Sequence, residues 1–142
     1  MRTIHTDEII SNVKEMCIQA NLHLSEDMAT AIQRAKEEET GILGKQILGQ
    51  LCENMDIAAR EEIPICQDTG MAVVFIKIGQ DVHIEGMNLE DAINEGVRRG
   101  YVEGFLRKSV VADPLIRENT KESSNYYGVF YAMRILRLWF GN

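Results

Sequence analysis

The chain has 142 residues, the size of one domain or part of one, and a chain of this length can bury roughly two-thirds of its unfolded surface. Its 15 Lys and Arg against 22 Asp and Glu leave a net charge of −7 with no basic cluster, which argues against a nucleic-acid partner. The 45% hydrophobic and 26% charged residues, three widely spaced cysteines and lack of an apolar leader or of a run near ~20 apolar residues set aside disordered, disulfide-scaffold and membrane-spanning classes; a cytoplasmic protein is expected.

Residues 7 to 20 place Ile9, Ile10, Val13, Met16, Cys17 and Ala20 at the i, i+3, i+4, i+7 spacing of an amphipathic helix, with Asp7 and Glu8 in its first turn. Ser25 is a candidate cap for a second helix with Met28, Ala31, Ile32 and Ala35 on one face, ending at the solvated acidic run Glu37-Glu38-Glu39 and Gly41. A third helix is predicted from about Lys45 to Ala59, with Cys52 beside its apolar stripe. At Glu61 the texture changes to a loop, Ile63-Pro64-Ile65-Cys66-Gln67-Asp68-Thr69-Gly70, in which a helix-breaking proline and a permissive glycine frame four polar or reactive side chains. Met71 to Ile78 then reads as a buried strand, Gly79-Gln80-Asp81 as a turn and Val82-His83-Ile84 as a possible partner strand. Asn88 caps a long helix from Leu89 to about Leu106.

Gly96, Gly100 and Gly104 recur every four residues along that helix, a loss of about 3 kcal/mol of helix propensity against alanine that something must offset. Close packing of a neighbouring element is the favoured reading; close approach to a ligand or subunit is the alternative. Residues 106 to 115 form an extended segment closed by an Asp113-Pro114 turn signal. Six of the nine aromatic residues lie between residues 126 and 140, and no acidic residue follows Glu122. This tail is either a docking helix using Val129, Met133, Leu136 and Phe140 or a non-native extension.

The densest chemistry lies in Cys66-Gln67-Asp68-Thr69-Gly70, and three readings compete on the residues alone. Cys66 can serve as a thiolate ligand to an iron–sulfur cluster with Asp68 as an acid or base beside it. It can instead be a covalent nucleophile, which requires a base such as His83 or His23. Asp68-Thr69-Gly70 can also be the signature of a dimeric aspartic protease, although Cys66 and Gln67 stand where an apolar strand should lead into the aspartate.

Ile63-Pro64-Ile65-Cys66-Gln67-Asp68-Thr69-Gly70, with Gly96-Val97-Arg98-Arg99-Gly100-Tyr101 and Leu106-Arg107-Lys108-Ser109-Val110-Val111-Ala112-Asp113-Pro114-Leu115, resembles the amino-terminal part of class I fumarate hydratases and tartrate dehydratase alpha subunits, from about residue 3 to residue 121. The resemblance implies a hydro-lyase that interconverts fumarate and malate, a tricarboxylic acid cycle step, or dehydrates a related four-carbon hydroxy-dicarboxylate such as tartrate, with a [4Fe-4S] cluster as Lewis acid. Carried over, Cys66 matches a cluster cysteine, Gln67 and Asp68 match substrate contacts with Asp68 as the catalytic acid, and Arg107 matches a substrate-carboxylate arginine. Arg98 and Arg99 read as helix-surface charges. The family's other cluster cysteines lie farther along a longer chain, so a partner beta subunit or a carboxy-terminal region is expected, in an oligomer.

After Lys121 the family pattern gives way to Glu122-Ser123-Ser124-Asn125 and the aromatic tail, which divides the chain at 1–121 and 122–142. The expected fold is α/β or α+β: a helical amino-terminal half, a small mixed sheet and the glycine-striped helix, together an incomplete domain. A non-catalytic interaction module, with a structural Cys66 loop, is the alternative function.

Overall fold

A computed structural model describes residues 2–66, 72–111, 113 and 115–118, together with the backbone of 135–140. The mixed α/β class expected from the sequence is what is found, in the order β1 (Arg2–His5), α1 (Thr6–Leu22), α2 (Glu26–Glu38), α3 (Ile42–Glu61), β2 (Val73–Ile78), β3 (Val82–Glu85), α4 (Leu89–Glu103) and β4 (Ile135–Phe140). No described helix is long and apolar enough to cross a membrane. The chain divides into two compact units, Met1–Ile18 with Asp68–Asn142, and Gln19–Gln67.

In the first unit β1 and β3 pair in parallel, Arg2 opposite Val82 through His5 opposite Glu85, and each strand leads into a helix. The apolar stripe of α1 is buried at four of its six predicted positions, Ile9, Ile10, Val13 and Cys17, while Met16 and Ala20 are half-buried. Gly96 and Gly100 lie against that stripe. A Cβ at Gly96 would sit 2.7 Å from Val13 Cβ and 2.9 Å from Ile10 O; one at Gly100 would sit 2.7 Å from Cys17 Cβ and 2.9 Å from Lys14 O. Each four-residue step along α4 therefore meets a four-residue step in the same direction along α1, which makes the helices parallel, and the glycine stripe is a packing device. Lys14 Nζ and Glu103 Oε2, 2.8 Å apart, link the same two helices.

The turn after β3 needs Gly86, whose φ of 118° lies where side chains are strained and whose missing Cβ would collide with Thr6 Oγ1. Thr6 is buried at the start of α1, and its hydroxyl accepts the Met87 N–H at 3.2 Å. Asn88 caps α4 as its residue type predicts, its Oδ1 accepting the Glu90 N–H at 2.8 Å.

Three strand expectations are corrected. Val82–Glu85 does not form a hairpin with the preceding strand: it pairs with β1, while β2 pairs in parallel with β4, Val73 opposite Ile135 through Ile78 opposite Phe140. Among the described residues of the run Met71 to Ile78 only Val73 is buried, and Phe75 and Ile78 are exposed; among the described strands β2 has one neighbour, not one on each side. Leu136 and Phe140 lie on a strand, not a docking helix, and Val129 and Met133 lie outside the described residues.

The second unit is built on α2 packed against α3. Its amphipathic patterns are present but incompletely covered: α2 has no buried residue, α3 buries only Ala58, and Met28, Ile47 and Leu51 are exposed. Ser25 occupies the N-cap with extended backbone but makes no capping bond. Its hydroxyl bonds the Asp27 carboxylate instead, the leading cause of that group's lowered pKa.

The close contact of α1 with α4 makes a signed prediction. Alanine gains about 1 kcal/mol over glycine in a helix, but forcing a methyl group against a backbone carbonyl costs about 1–3 kcal/mol. Gly100→Ala is expected to lower stability to urea by up to about 2 kcal/mol despite its better helix propensity. Gly49→Ala in α3, where the nearest atom is Lys36 Cε at 3.8 Å, should leave stability unchanged or raise it by up to about 1 kcal/mol. Equal stabilisation by both substitutions would contradict the packing.

Candidate functional site

Helix α3 ends at Glu62, which takes the left-handed conformation at φ 52° and turns the chain out of the helix before Pro64. The next residues are fastened one by one. Ile63 N–H donates to Ala58 O at 3.2 Å, Ile65 N–H donates to Asn21 O at 2.8 Å, and the Ile65 side chain is buried. Cys66 N–H donates to Asn54 Oδ1 at 3.0 Å, and Cys66 itself is exposed. An exposed cysteine thus ends a stretch of backbone tied to α3 and to Asn21 of α1. Gln67 and Asp68, as well as Thr69 and Gly70, lie outside the described residues.

Arg107 belongs to the other unit, in the segment that follows α4. Phe105 takes a left-handed turn at φ 53°, Leu106 N–H donates to Tyr101 O at 3.0 Å, and the buried Leu106 and Val110 anchor the chain on either side of an exposed Arg107. Farther on, Asp113 makes the turn its position suggests, its carboxylate accepting the N–H groups of Ile116 and Leu115 at 2.8 Å each. Those two bonds hold the carboxyl below the ordinary aspartate range.

The three cysteines differ in what they can do. Cys17 is 2% exposed and burial pushes its thiol up to about 12, so it is a neutral, apolar part of the α1–α4 contact. Cys52 is half-buried on α3. Cys66 is the exposed thiol. Among the described residues no group of three or more His, Cys, Asp or Glu is placed to hold a metal ion. A [4Fe-4S] cluster is held by several thiolates, so the described residues fit the contribution of one ligand and do not complete a cluster site.

Arg98 and Arg99 are occupied elsewhere, as their helix positions suggest. Arg98 Nε and Arg99 Nε lie 2.6 Å from the two carboxylate oxygens of Glu95, Arg98 adding a second bond at 2.8 Å. An open depression of about 650 Å³ lies between the end of α2 and the start of α3, walled by Glu37, Glu38 and Glu39. Its rim, three glutamates against Lys45, disfavours a dianionic substrate, and Cys66 does not line it. Asn54 is the contributor that residue patterns miss: it is one of many polar residues on an exposed helix, and its bond to Cys66 spans twelve residues.

Residues 10–129 match the fumarate hydratase (Fumerase) family. The chain belongs to that family. A Methanocaldococcus jannaschii protein assigned as an L(+)-tartrate dehydratase alpha subunit is 39% identical over 110 residues, 77% of this chain and 38% of the relative. The L(+)-tartrate dehydratase alpha subunit of Escherichia coli is 29% identical over 104 residues, 73% of this chain and 33% of its own. A Geobacillus stearothermophilus protein assigned as a class I fumarate hydratase is 27% identical over 118 residues, 82% of this chain and 22% of its own. This member of the fumarate hydratase family thus spans less than two-fifths of each of these relatives.

The Glu95 cluster sets a pH dependence. Hydrogen bonds from Arg98 and then Arg99 lower the Glu95 pKa from 4.5 to about 2, so the ionised form favours the folded state. A depressed carboxyl adds stability above its unfolded pKa and loses it as pH falls through the folded one. Glu95→Gln should therefore be less stable than the parent chain near neutral pH, with the difference shrinking as the pH falls from about 4.5 to about 2. A difference that stays constant across that range, followed by thermal melting, would contradict the assignment.

Proposed function

We propose that this chain is the amino-terminal portion of a hydro-lyase that hydrates fumarate to malate or dehydrates a related hydroxy-dicarboxylate such as tartrate. The observation that carries the reading is the coincidence of two facts: the family match spans the Pro64-Ile65-Cys66-Gln67-Asp68 motif, and Cys66 is the cysteine held exposed on a tethered loop. In this reading Cys66 supplies one thiolate to a [4Fe-4S] cluster, and the remaining ligands come from polypeptide beyond this chain, a beta subunit or a carboxy-terminal region. The cluster, when bound, supplies Lewis acidity toward a substrate oxygen.

The chain's own residues take the remaining roles. Asp68 gives a proton to the departing hydroxyl or takes one in the reverse direction, and Gln67 orients the substrate by hydrogen bonds. Arg107, planar and permanently charged, takes a substrate carboxylate in a bidentate pair. Three free cysteines suit the reducing cytoplasm, where a thiolate ligand stays available. The alpha-subunit names of two relatives support an assembly with a second kind of subunit.

The ligand assignment is tested by iron content after anaerobic reconstitution together with the polypeptide that completes the family's length. Cys66→Ser is expected to abolish cluster assembly. Cys17→Ser, which changes only a buried packing group, should keep it. Equal iron in the two variants would remove Cys66 from the ligand set and favour a structural loop in an interaction module.

A further inference from the structure

Three hydrogen bonds fasten the loop that ends in Cys66, and they differ in kind. The Ile63 and Ile65 amides donate to backbone carbonyls, of Ala58 and Asn21, which any sequence could provide. The Cys66 amide donates to a side chain, Asn54 Oδ1, at 3.0 Å. Asn54 stands on α3 two turns before that helix ends, and the buried Ile65 side chain anchors the neighbouring residue. With its amide tied to the helix and the preceding residue fixed, Cys66 keeps side-chain rotation as the main freedom of its sulfur.

We infer that Asn54 is a positioning residue, whose side-chain oxygen holds the Cys66 backbone so that the thiol is presented in one direction. This rests on the reading of Cys66 as a cluster ligand. Asparagine is chemically suited to that role, because an amide oxygen accepts the N–H as a carboxylate does, without adding a negative charge beside a sulfur that must ionise to bind metal. Because the Cys66 amide is at the surface, water can replace the lost acceptor, so removing Asn54 should disturb placement far more than overall stability.

The test compares Asn54→Leu, which keeps bulk but lacks an acceptor, with Asn54→Asp, which keeps the acceptor. Amide hydrogen exchange at Cys66 is read in the full chain, and iron and sulfide uptake in the protein completed by its missing polypeptide. Asn54→Leu is expected to exchange at least about five-fold faster at Cys66 and to take up iron about ten-fold more weakly, with Cys17 still shielded from thiol reagents. Asn54→Asp should stay close to the parent in exchange at Cys66 and lose less iron uptake than Asn54→Leu, its loss coming from the negative charge placed beside a thiolate ligand. Normal iron uptake by Asn54→Leu where Cys66→Ser abolishes it, or equal losses in the Leu and Asp variants, would overturn the inference. If Cys66→Ser leaves iron uptake intact, the ligand reading has failed, and the inference that depends on it falls too, whatever the exchange at Cys66 shows. Should Asn54→Leu expose Cys17, Asn54→Ala replaces it under the same two outcomes.

Discussion

Backbone meets backbone where α4 crosses α1, and the room for that meeting comes from two missing methyl groups. At Gly96 and Gly100 any side chain would press on Ile10 and Lys14 carbonyl oxygens as well as on Val13 and Cys17. Because the helices run in the same direction and each follows one of two paired parallel strands, this contact sets how β1–α1 and β3–α4 stack as two like units. Buried side chains of α1 and of α4, Val13 and Val97 among them, complete a core that the glycines bring together. The helix propensity lost at these positions is returned as close packing, which a longer side chain would prevent.

The same contact takes Cys17 out of chemistry. Cys17 forms part of the floor under Gly100 and is held neutral by burial, whereas Cys66 stands at the end of a loop built for exposure. That loop uses a left-handed cap at Glu62, a proline that cannot continue the helix, and a buried isoleucine immediately before the cysteine. Each device fixes backbone while leaving the thiol free of packing. Under the proposed function such an arrangement suits a ligand that meets donors from elsewhere in a longer protein; the relatives extend well beyond the length of this chain.

Local patterns made the helices legible, and long-range pairing hid the strands. The α1 stripe, the Asn88 cap, the packing role of the glycine repeat and the surface role of Arg98 and Arg99 all follow from spacing of three or four residues, a distance over which a helix brings side chains together. The strand pairs join segments about 80 and 60 residues apart, and a turn signal at Gly79-Gln80-Asp81 suggested a hairpin that the long-range partners displaced. A short apolar run such as Met71 to Ile78 does not reveal how many of its faces are covered, and β1 carries one buried residue, Ile4, too little for a pattern. At the site, the loop that carries Cys66 was legible from Pro64, but its support by Asn54 was not, because a single polar side chain on a helix carries no periodic signal.

Under the proposed function, this chain donates ligand and substrate contacts to a hydro-lyase completed by other polypeptide. The most direct test is anaerobic iron–sulfur reconstitution of the chain with and without that polypeptide, reading cluster absorbance together with fumarate hydration and tartrate dehydration. Cluster and activity that arise together, and only in the mixture, are the predicted result. A folded chain that forms no cluster and shows no activity under either condition would contradict it.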